Sequence, residues 1–403
     1  MWVRIRPLDV LLFRDSRPFA AGESFRAASV PFPPGPLPFV GALRTQVLAR
    51  ALAAQGLGFA EYGAACRRPG AAPPALAPIL ERFGTPRELG RLRFRGPFVV
   101  HPRHGAGVPA PLDVRLGRGE AGSSGGPVFL VPAAPRNPAA RSRGPVLQGL
   151  RATDALGEEA AGLFAGLTNL SGYLEGRSAF FFAEGEVVAA EPRTGIALGP
   201  GRTAAEGHLY TVEYLRLAEG ASFLVQAEGL EPGDLPSGGL LQLGGEARAA
   251  SYEVLDGPAA PRVPEPPPLA GWKRFKVALL APGIHREGWL PDFVTPGDGG
   301  FFCDLGGGER ARLVSAAVGR PSHVGGWDLV AGAPRPMLRA APAGSVYFFE
   351  AERALSAEAA SNLARRLHWQ SSMEPTVGSL RQLYRQAGFG LSVVGSWGRK
   401  EDT

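Results

Sequence analysis

Short apolar runs bounded by glycine or proline recur along nearly the whole chain, whereas helical spacing appears in only two places. Residues 2–6 (Trp-Val-Arg-Ile-Arg) alternate apolar and basic side chains, the period-two pattern of a half-buried strand. Further strand-like runs occupy 179–183, 209–215, 223–227, 240–245, 275–280, 313–318, 345–349 and 390–394. The runs 209–215 and 223–227 are expected to pair with each other. One helix is expected over 37–55, where Val40, Leu43, Val47, Leu48 and Leu52 follow Pro38 at helical spacing. The other is expected over 356–369, opened by Ser356 as N-cap with Glu358 in the first turn. Glycine (56) and proline (39) make up nearly a quarter of the 403 residues, yet 45% are apolar. The chain can therefore fill a core while joining its elements through many turns. Strands with few helices, in two halves with similar ends, predict an α+β fold of two split β-α-β units, residues 1–230 and 231–403, with long loop insertions. Within the first unit the pattern weakens over 56–160. There, 105–126 and 132–144 are rich in glycine, proline and arginine and read as mobile loops on an insertion.

A long loop joins the first strand to the first helix. It carries Phe13-Arg14-Asp15-Ser16-Arg17-Pro18-Phe19 and then the prolines of 31–38. A loop of that length in a compact domain usually has a function, and this one suits guanidinium and aromatic contacts to a phosphorylated, single-stranded polymer. Arg14 and Arg17 would hold backbone phosphates, Phe19 would offer a stacking face and Asp15 would orient a guanidinium. An Asp-Arg pair that merely fixes the loop is the plain alternative. Arg44, three residues after Gly41, is placed where a helix start favours anions, with a solvated helix arginine as its alternative. Arg193, Arg202 and Thr203, among Gly195, Gly199, Pro200 and Gly201, could donate to phosphates or sit on an ordinary hairpin. Gly388-Phe389-Gly390 and Gly395-Ser396-Trp397-Gly398-Arg399-Lys400 would let a nucleic-acid backbone approach, with Trp397 stacking; a glycine-rich turn beside a last strand needs no such role. Lys273 lies in Gly271-Trp272-Lys273-Arg274-Phe275-Lys276, whose alternation fits a strand with a basic outer face or an amphipathic edge strand.

The formal charge is +6, and lysine occurs only at 273, 276 and 400, so positive charge is nearly all arginine, which pairs bidentately with phosphate and stacks on bases. Ala/Gly/Pro/Arg enrichment also reflects a composition bias. Cys66 and Cys303 stand far apart without Cys-x-x-Cys or His-x-His partners, so neither a disulfide framework, a zinc site nor any other cofactor is expected. The N-terminus lacks a signal-peptide apolar stretch and no segment approaches a membrane span, which predicts a cytoplasmic protein. His101 and His104 are the candidates for metal-free general acid–base cleavage of RNA, in a loop with no positioned partner apparent.

Several blocks together resemble one family. Pro7-Leu8-Asp9, Phe13-Arg14-Asp15, Arg17-Pro18-Phe19, Ser29, Phe32-Pro33-Pro34 and Gly41-Ala42-Leu43-Arg44 are similar to the opening of the RAMP-superfamily third subunit of the type III-B CRISPR (Cmr) effector complex. The likeness continues through Arg193-Thr194-Gly195-Ile196, Glu206-Gly207-His208-Leu209-Tyr210, Leu243-Gly244-Gly245-Glu246-Ala247-Arg248, Gly325-Gly326-Trp327 and Pro342-Ala343-Gly344-Ser345-Val346-Tyr347. The resemblance implies two ferredoxin-like, RRM-related domains and a non-catalytic role, gripping the 5′ repeat-derived handle of the CRISPR RNA (crRNA). It also implies neighbours: the large polymerase-like subunit and the backbone RAMP subunits, with a protruding hairpin or thumb separating handle from guide. A metal-independent endoribonuclease of the same superfamily and a purely architectural subunit are the competing expectations.

Overall fold

The structure is a computed structural model and describes residues 1–13, 32–68, 73–118, 124–133, 147–153, 160–198, 204–328, 331–376 and 379–398. The first sheet comprises β1 (Trp2–Pro7), β2 (Arg93–His101), β3 (Gly105–Pro109), β7 (Leu163–Gly166), β8 (Phe181–Ala183), β11 (Ser222–Glu228), β12 (Gly238–Gln242) and β13 (Ala249–Leu255). Between them run a three-stranded sheet, β4 (Val114–Arg118), β5 (Ser124–Ala133) and β6 (Gly149–Ala152), and a long hairpin, β9 (Val188–Leu198) with β10 (Ala204–Leu217). The second sheet holds β14 (Arg274–Leu279), β15 (Val294–Gly297), β16 (Gly300–Gly306), β17 (Glu309–Ala317), β22 (Val346–Ala351), β23 (Gln370–Ser371) and β24 (Leu391–Ser396). Between β17 and β22 an arm is built from β18 (Ser322–Val324) paired with β21 (Leu338–Ala340) and β19 (Trp327–Asp328) paired with β20 (Ala333–Pro334). The described helices are α1 (Pro36–Ala53), α2 (Phe59–Arg67), α3 (Ala77–Phe83), α4 (Leu170–Leu174), α5 (Ala357–Leu367) and α6 (Leu380–Gln386).

Four adjacent strands of the first sheet lie in the order β13-β1-β11-β2, every neighbour antiparallel. The second sheet repeats that plan as β24-β14-β22-β17. In both, the fourth strand in sequence flanks the first, and the third separates the first from the second. The halves differ in what crosses between strands. The first uses α1 between β1 and β2 and has only turns and β12 between β11 and β13. The second has no helix between β14 and β17 and uses α5 and α6 between β22 and β24.

Side-chain alternation explains how the sheets stack, because successive residues of a strand point to opposite faces. On β1, Val3 and Ile5 enter a core shared with Phe39, Leu43 and Val47 of α1, while Trp2 enters the core on the other side. Likewise Val277 and Leu279 of β14 meet Leu363 and Leu367 of α5, whereas Ala278 joins Trp2, Phe98, Leu224, Phe348 and Val393. The two sheets therefore pack face to face, with α1 and α5 on their outer faces and α4 set into the core between them. Trp369, in the left-handed region with φ 59°, ties them: its ring stacks on Phe98 at 5.4 Å and its Nε1 donates to Gln226 at 2.7 Å. Leu383, Tyr384, Ala387 and Phe389, at and beyond α6, belong to the first core, so the last helix of the chain helps cover the first sheet.

Several expectations are corrected. The stretch 56–160 is not a loop insertion: it supplies β2, one of the four central strands, together with α2, α3 and β3 to β6. Much of 105–126 is strand; 134–144 lies outside the described residues. The run 209–215 belongs to β10 and pairs with β9, while β11 pairs with β1 and β2, because the hairpin leaves the sheet as a separate ribbon. The expected division at 230 falls inside the first sheet, which continues through β13. Strand β14 is central rather than an edge, and its Lys276 is only 2% exposed.

One buried group makes stability pH-dependent. His285 is 5% exposed and neither ring nitrogen has a partner among the described residues. Burial, opposed by the Asp292 carboxylate and reinforced by Arg381, lowers its pKa from 6.5 to about 4. The unfolded chain takes up a proton near 6.5 that the folded chain refuses, so this contribution is intact above that pH and lost as pH falls towards about 4. The slope is about 1.4 kcal/mol per pH unit within the window. Urea midpoints measured from pH 7 to 4.5 should fall in the parent and flatten in His285→Leu.

Candidate nucleic-acid interface

Arg14, Arg17, Phe19, Arg202 and Thr203 lie outside the described residues. What flanks the N-terminal loop is well anchored: Phe13 is buried and stacks on Phe39 at 6.0 Å, and Phe32 packs edge-on to Phe164 at 5.7 Å. The helix that follows starts at Pro36, with Gly35 as a cap that makes no side-chain bond. Prolines at 36 and 38 remove backbone donors, so this helix start is a poor anion site.

Arg44 sits well inside α1 and turns inward. Its Nε donates to Phe83 O at 2.8 Å and its Nη2 to Tyr62 Oη at 2.7 Å, and that hydroxyl donates to Gly84 O at 2.9 Å. The residue braces α1 against α2 and α3, which corrects its assignment as a phosphate ligand. Trp397 is corrected as well. It is 8% exposed, its Nε1 donates to Phe349 O at 3.1 Å, and the Arg274 guanidinium lies 5.0 Å over its ring. No base can reach that face. Lys273 is half-buried just before β14. The C-terminal glycines admit the chain's own backbone rather than RNA: a Cβ on Gly388 (φ 105°) would stand 2.9 Å from Phe94 O, and one on Gly395 2.7 Å from Leu174 O.

Arg193 is half-buried and charge-compensated. It pairs with Glu191 at 2.6 Å and Asp9 at 3.7 Å, and its guanidinium lies 5.1 Å over the Tyr214 ring, with that of Arg248 at 4.7 Å. Arg216 pairs with Asp9 and Glu191, and Arg248 with Glu246. Arg216 and Arg193 hold the Glu191 carboxyl down at about 2. Three cations meet three carboxylates, so this cluster fixes the root of the β9–β10 hairpin beside residues 9–13 and leaves no surplus charge for a phosphate.

Surplus charge appears elsewhere, where the two sheets meet at β2, β23 and α6. A cleft of about 200 Å³ is lined by Arg93, Arg95, Glu228, Ser371, Arg385 and Gly388, among others. It adjoins a second hollow of about 470 Å³ that shares Gln370, Ser371 and Arg385 and adds Arg365, Arg366 and Glu374. Arg95 is spoken for: it donates to Trp369 O at 2.9 Å and pairs with Glu228. The other four are not neutralised. Arg93 donates to Gly90 O and Leu92 O, Arg385 to Met373 O, Arg366 to Asp304 O and Arg365 to Asn362. Among the described residues none of these four has a carboxylate within ion-pair distance. Burial lowers the pKa of Arg93, countered by Glu228; burial lowers that of Arg385 too, and the Arg93 charge adds to it. Two half-buried guanidiniums that repel each other are a site an incoming phosphate relieves. Sequence reasoning passed over these residues because they come from widely separated segments.

His101 and His104 do have a positioned partner. They flank the β2–β3 turn with ring centroids 4.4 Å apart, and His101 Nε2 lies 3.4 Å from Glu186 Oε2. His101 Nδ1 accepts from the backbone N–H of Arg103 (3.0 Å) and of His104 (3.2 Å). The ring proton is thereby assigned to Nε2, facing Glu186. A metal would need the Nε2 lone pair and a proton on Nδ1, where two donors already point, so this trio suits a hydrogen bond and not a cation. Burial and the nearby His104 keep His101 below its usual pKa.

Residues 3–397 match the family model described as CRISPR-associated protein (Cas_Cmr3). The chain belongs to this family, and it is a RAMP-type subunit of the type III-B Cmr effector. No curated protein matches it significantly. Among solved structures it is similar to a chain of the type III-B Cmr-beta complex bound to cognate target RNA, with 16% identity, TM-score 0.44 and 86% of each chain covered. The same complex bound to target RNA and AMPPnP gives 17% identity and TM-score 0.42, again over 86% of each chain. A chain of the Csm3-Csm4 subcomplex of the type III-A interference complex gives 9% identity and TM-score 0.31, over 88% of this chain and 94% of that one. Among the described residues no helix is long and apolar enough to cross a membrane.

Proposed function

We propose that this effector subunit grips the 5′ handle of crRNA without cleaving it, and that it docks the large polymerase-like subunit and the backbone RAMP subunits. The observation that carries the RNA-gripping reading is the cleft whose Arg93, Arg365, Arg366 and Arg385 face solvent-accessible space without carboxylate partners. Phosphates of a single strand are the natural counter-charge for such a row. RRM-like domains read RNA on the open sheet face; here the open faces pack on each other, so edges and clefts are what remain. The repeated strand order supports two ferredoxin-like units, each keeping one of its two crossovers helical. Trp327, 57% exposed on the arm that packs beside Leu37 of α1, offers the stacking face that Trp397 lacks. Arg14, Arg17 and Phe19 are proposed as further contacts to the same RNA.

The His101–Glu186 pair favours one competing reading, metal-independent cleavage. Incubating the purified chain with repeat-containing precursor RNA in EDTA separates the two. The binding reading predicts a retained, intact RNA. Cleavage that disappears in His101→Ala or His104→Ala would make the chain a nuclease.

A further inference from the structure

We propose that the outer edge of β12 is a docking site for an extended segment of a neighbouring protein subunit, which adds to the first sheet as a further strand. The inference rests on the chain working as an effector subunit. Its basis is the hydrogen-bond register. Leu8 N donates to Ala249 O at 3.0 Å, so β13 turns residues 249, 251 and 253 towards β1. Val254 N donates to Ser237 O at 2.7 Å and Leu243 N to Arg248 O at 2.8 Å, so the even residues of β13 face β12. It follows that the N–H and C=O groups of Gly238, Leu240 and Gln242 point away from the sheet. Among the described residues no hydrogen bond reaches them, and all three residues are exposed.

Alternate outward donors and acceptors along a straight edge are matched only by another extended backbone. The side chains narrow the choice further. Leu240 is 63% exposed and Leu8 60%; they share a face, in adjacent cross-strand rows with Ser251 and Ala249. The segment Gly-Gly-Leu-Leu-Gln contains no charge or proline, the usual protections of an open edge. Arg4 and Arg6 on the same face share the Glu253 carboxylate, and β12 itself carries no charged side chain for a phosphate to meet, so the edge offers a protein backbone more than it offers nucleic acid. Five residues are too short an interface to hold two free copies together. A subunit already tethered in an assembly gains from the same segment as a second contact.

The test is hydrogen exchange on the peptide spanning 236–243, in the isolated chain and in the assembled effector. At least tenfold slower exchange in the assembly is expected. In competition for assembly, Leu240→Pro removes one outward donor while leaving the β13 ladder intact; it should enter the complex at least tenfold less than the parent while binding handle RNA equally well. Leu240→Lys serves if the proline variant does not fold. Equal exchange rates in the free and assembled chain would overturn the proposal, as would slowing that appears in the isolated chain as its concentration rises, which would identify a second copy. Handle affinity is read separately, so failure here is distinguishable from failure of the RNA-gripping reading.

Discussion

Replacing Arg93 and Arg385 together by alanine should weaken binding of handle RNA by roughly 100-fold, because each charge-assisted contact is worth about 1.5 kcal/mol or more. The dependence of log affinity on log salt should flatten by roughly 1.4, about 0.7 for each lost phosphate contact on a single strand. Folding should persist, since both guanidiniums bond only to carbonyls at the edge of the cleft. The double lysine variant keeps the charge but loses the planar fork; it should restore the salt slope and recover only part of the affinity. Titration of labelled handle RNA at several salt concentrations measures all of this. An unchanged affinity in the alanine variant would remove the cleft from the binding site.

The largest expected stability effect lies between the sheets. Lys276 Nζ is 2.9 Å from Asp113 Oδ2, the Tyr173 hydroxyl donates to Asp113 Oδ1 at 2.8 Å, and the ammonium sits 3.7 Å from the Tyr173 ring centroid. Lys276 and Asp113 are only 2% and 1% exposed. Burial works against the Lys276 charge, lowering its pKa, and Asp113 counters that. Asp113→Ala strands a cation and a hydroxyl in the interior, and should cost about 3–5 kcal/mol. For a chain whose net stability is of the ordinary order of about 5–15 kcal/mol, that is a large fraction. The triple replacement Asp113→Leu, Lys276→Met, Tyr173→Phe should return most of it, because it removes the desolvated charges along with their partners. Urea unfolding of the three proteins decides. A triple variant as unstable as Asp113→Ala would show that the pair itself, not the stranded charge, holds the sheets together.

What could be read from the sequence follows from what is local. The strand at 2–6 and the helix at 356–369 came through because their signals are local: an apolar–basic alternation over 3–6 in one, and in the other a serine cap that accepts from Ala359 N at 3.1 Å. Helix α1 runs within two residues of its expected ends for the same reason. Strand β2 escaped because Gly96-Pro97 interrupts it and because both of its faces are covered, which erases alternation. Its Arg95 reads as a surface residue until Glu228 and the Trp369 carbonyl are brought to it. Lys276 and Trp397 read as outward-facing residues for a related reason: in a sheet that packs on another sheet there is no solvent face for a strand to present. The cleft was illegible for a different reason. Its arginines come from residues 93, 365, 366 and 385, which meet only once the two sheets stack.

The central claim is that this chain clasps the leading nucleotides of a guide in the arginine cleft. Photoreactive bases placed through the handle of crRNA in the assembled effector test it most directly. Crosslinks to peptides containing Arg93, Arg365–Arg366 or Arg385 are the predicted result. Crosslinks confined to other subunits, with none on this chain near the cleft or the N-terminal loop, would contradict it.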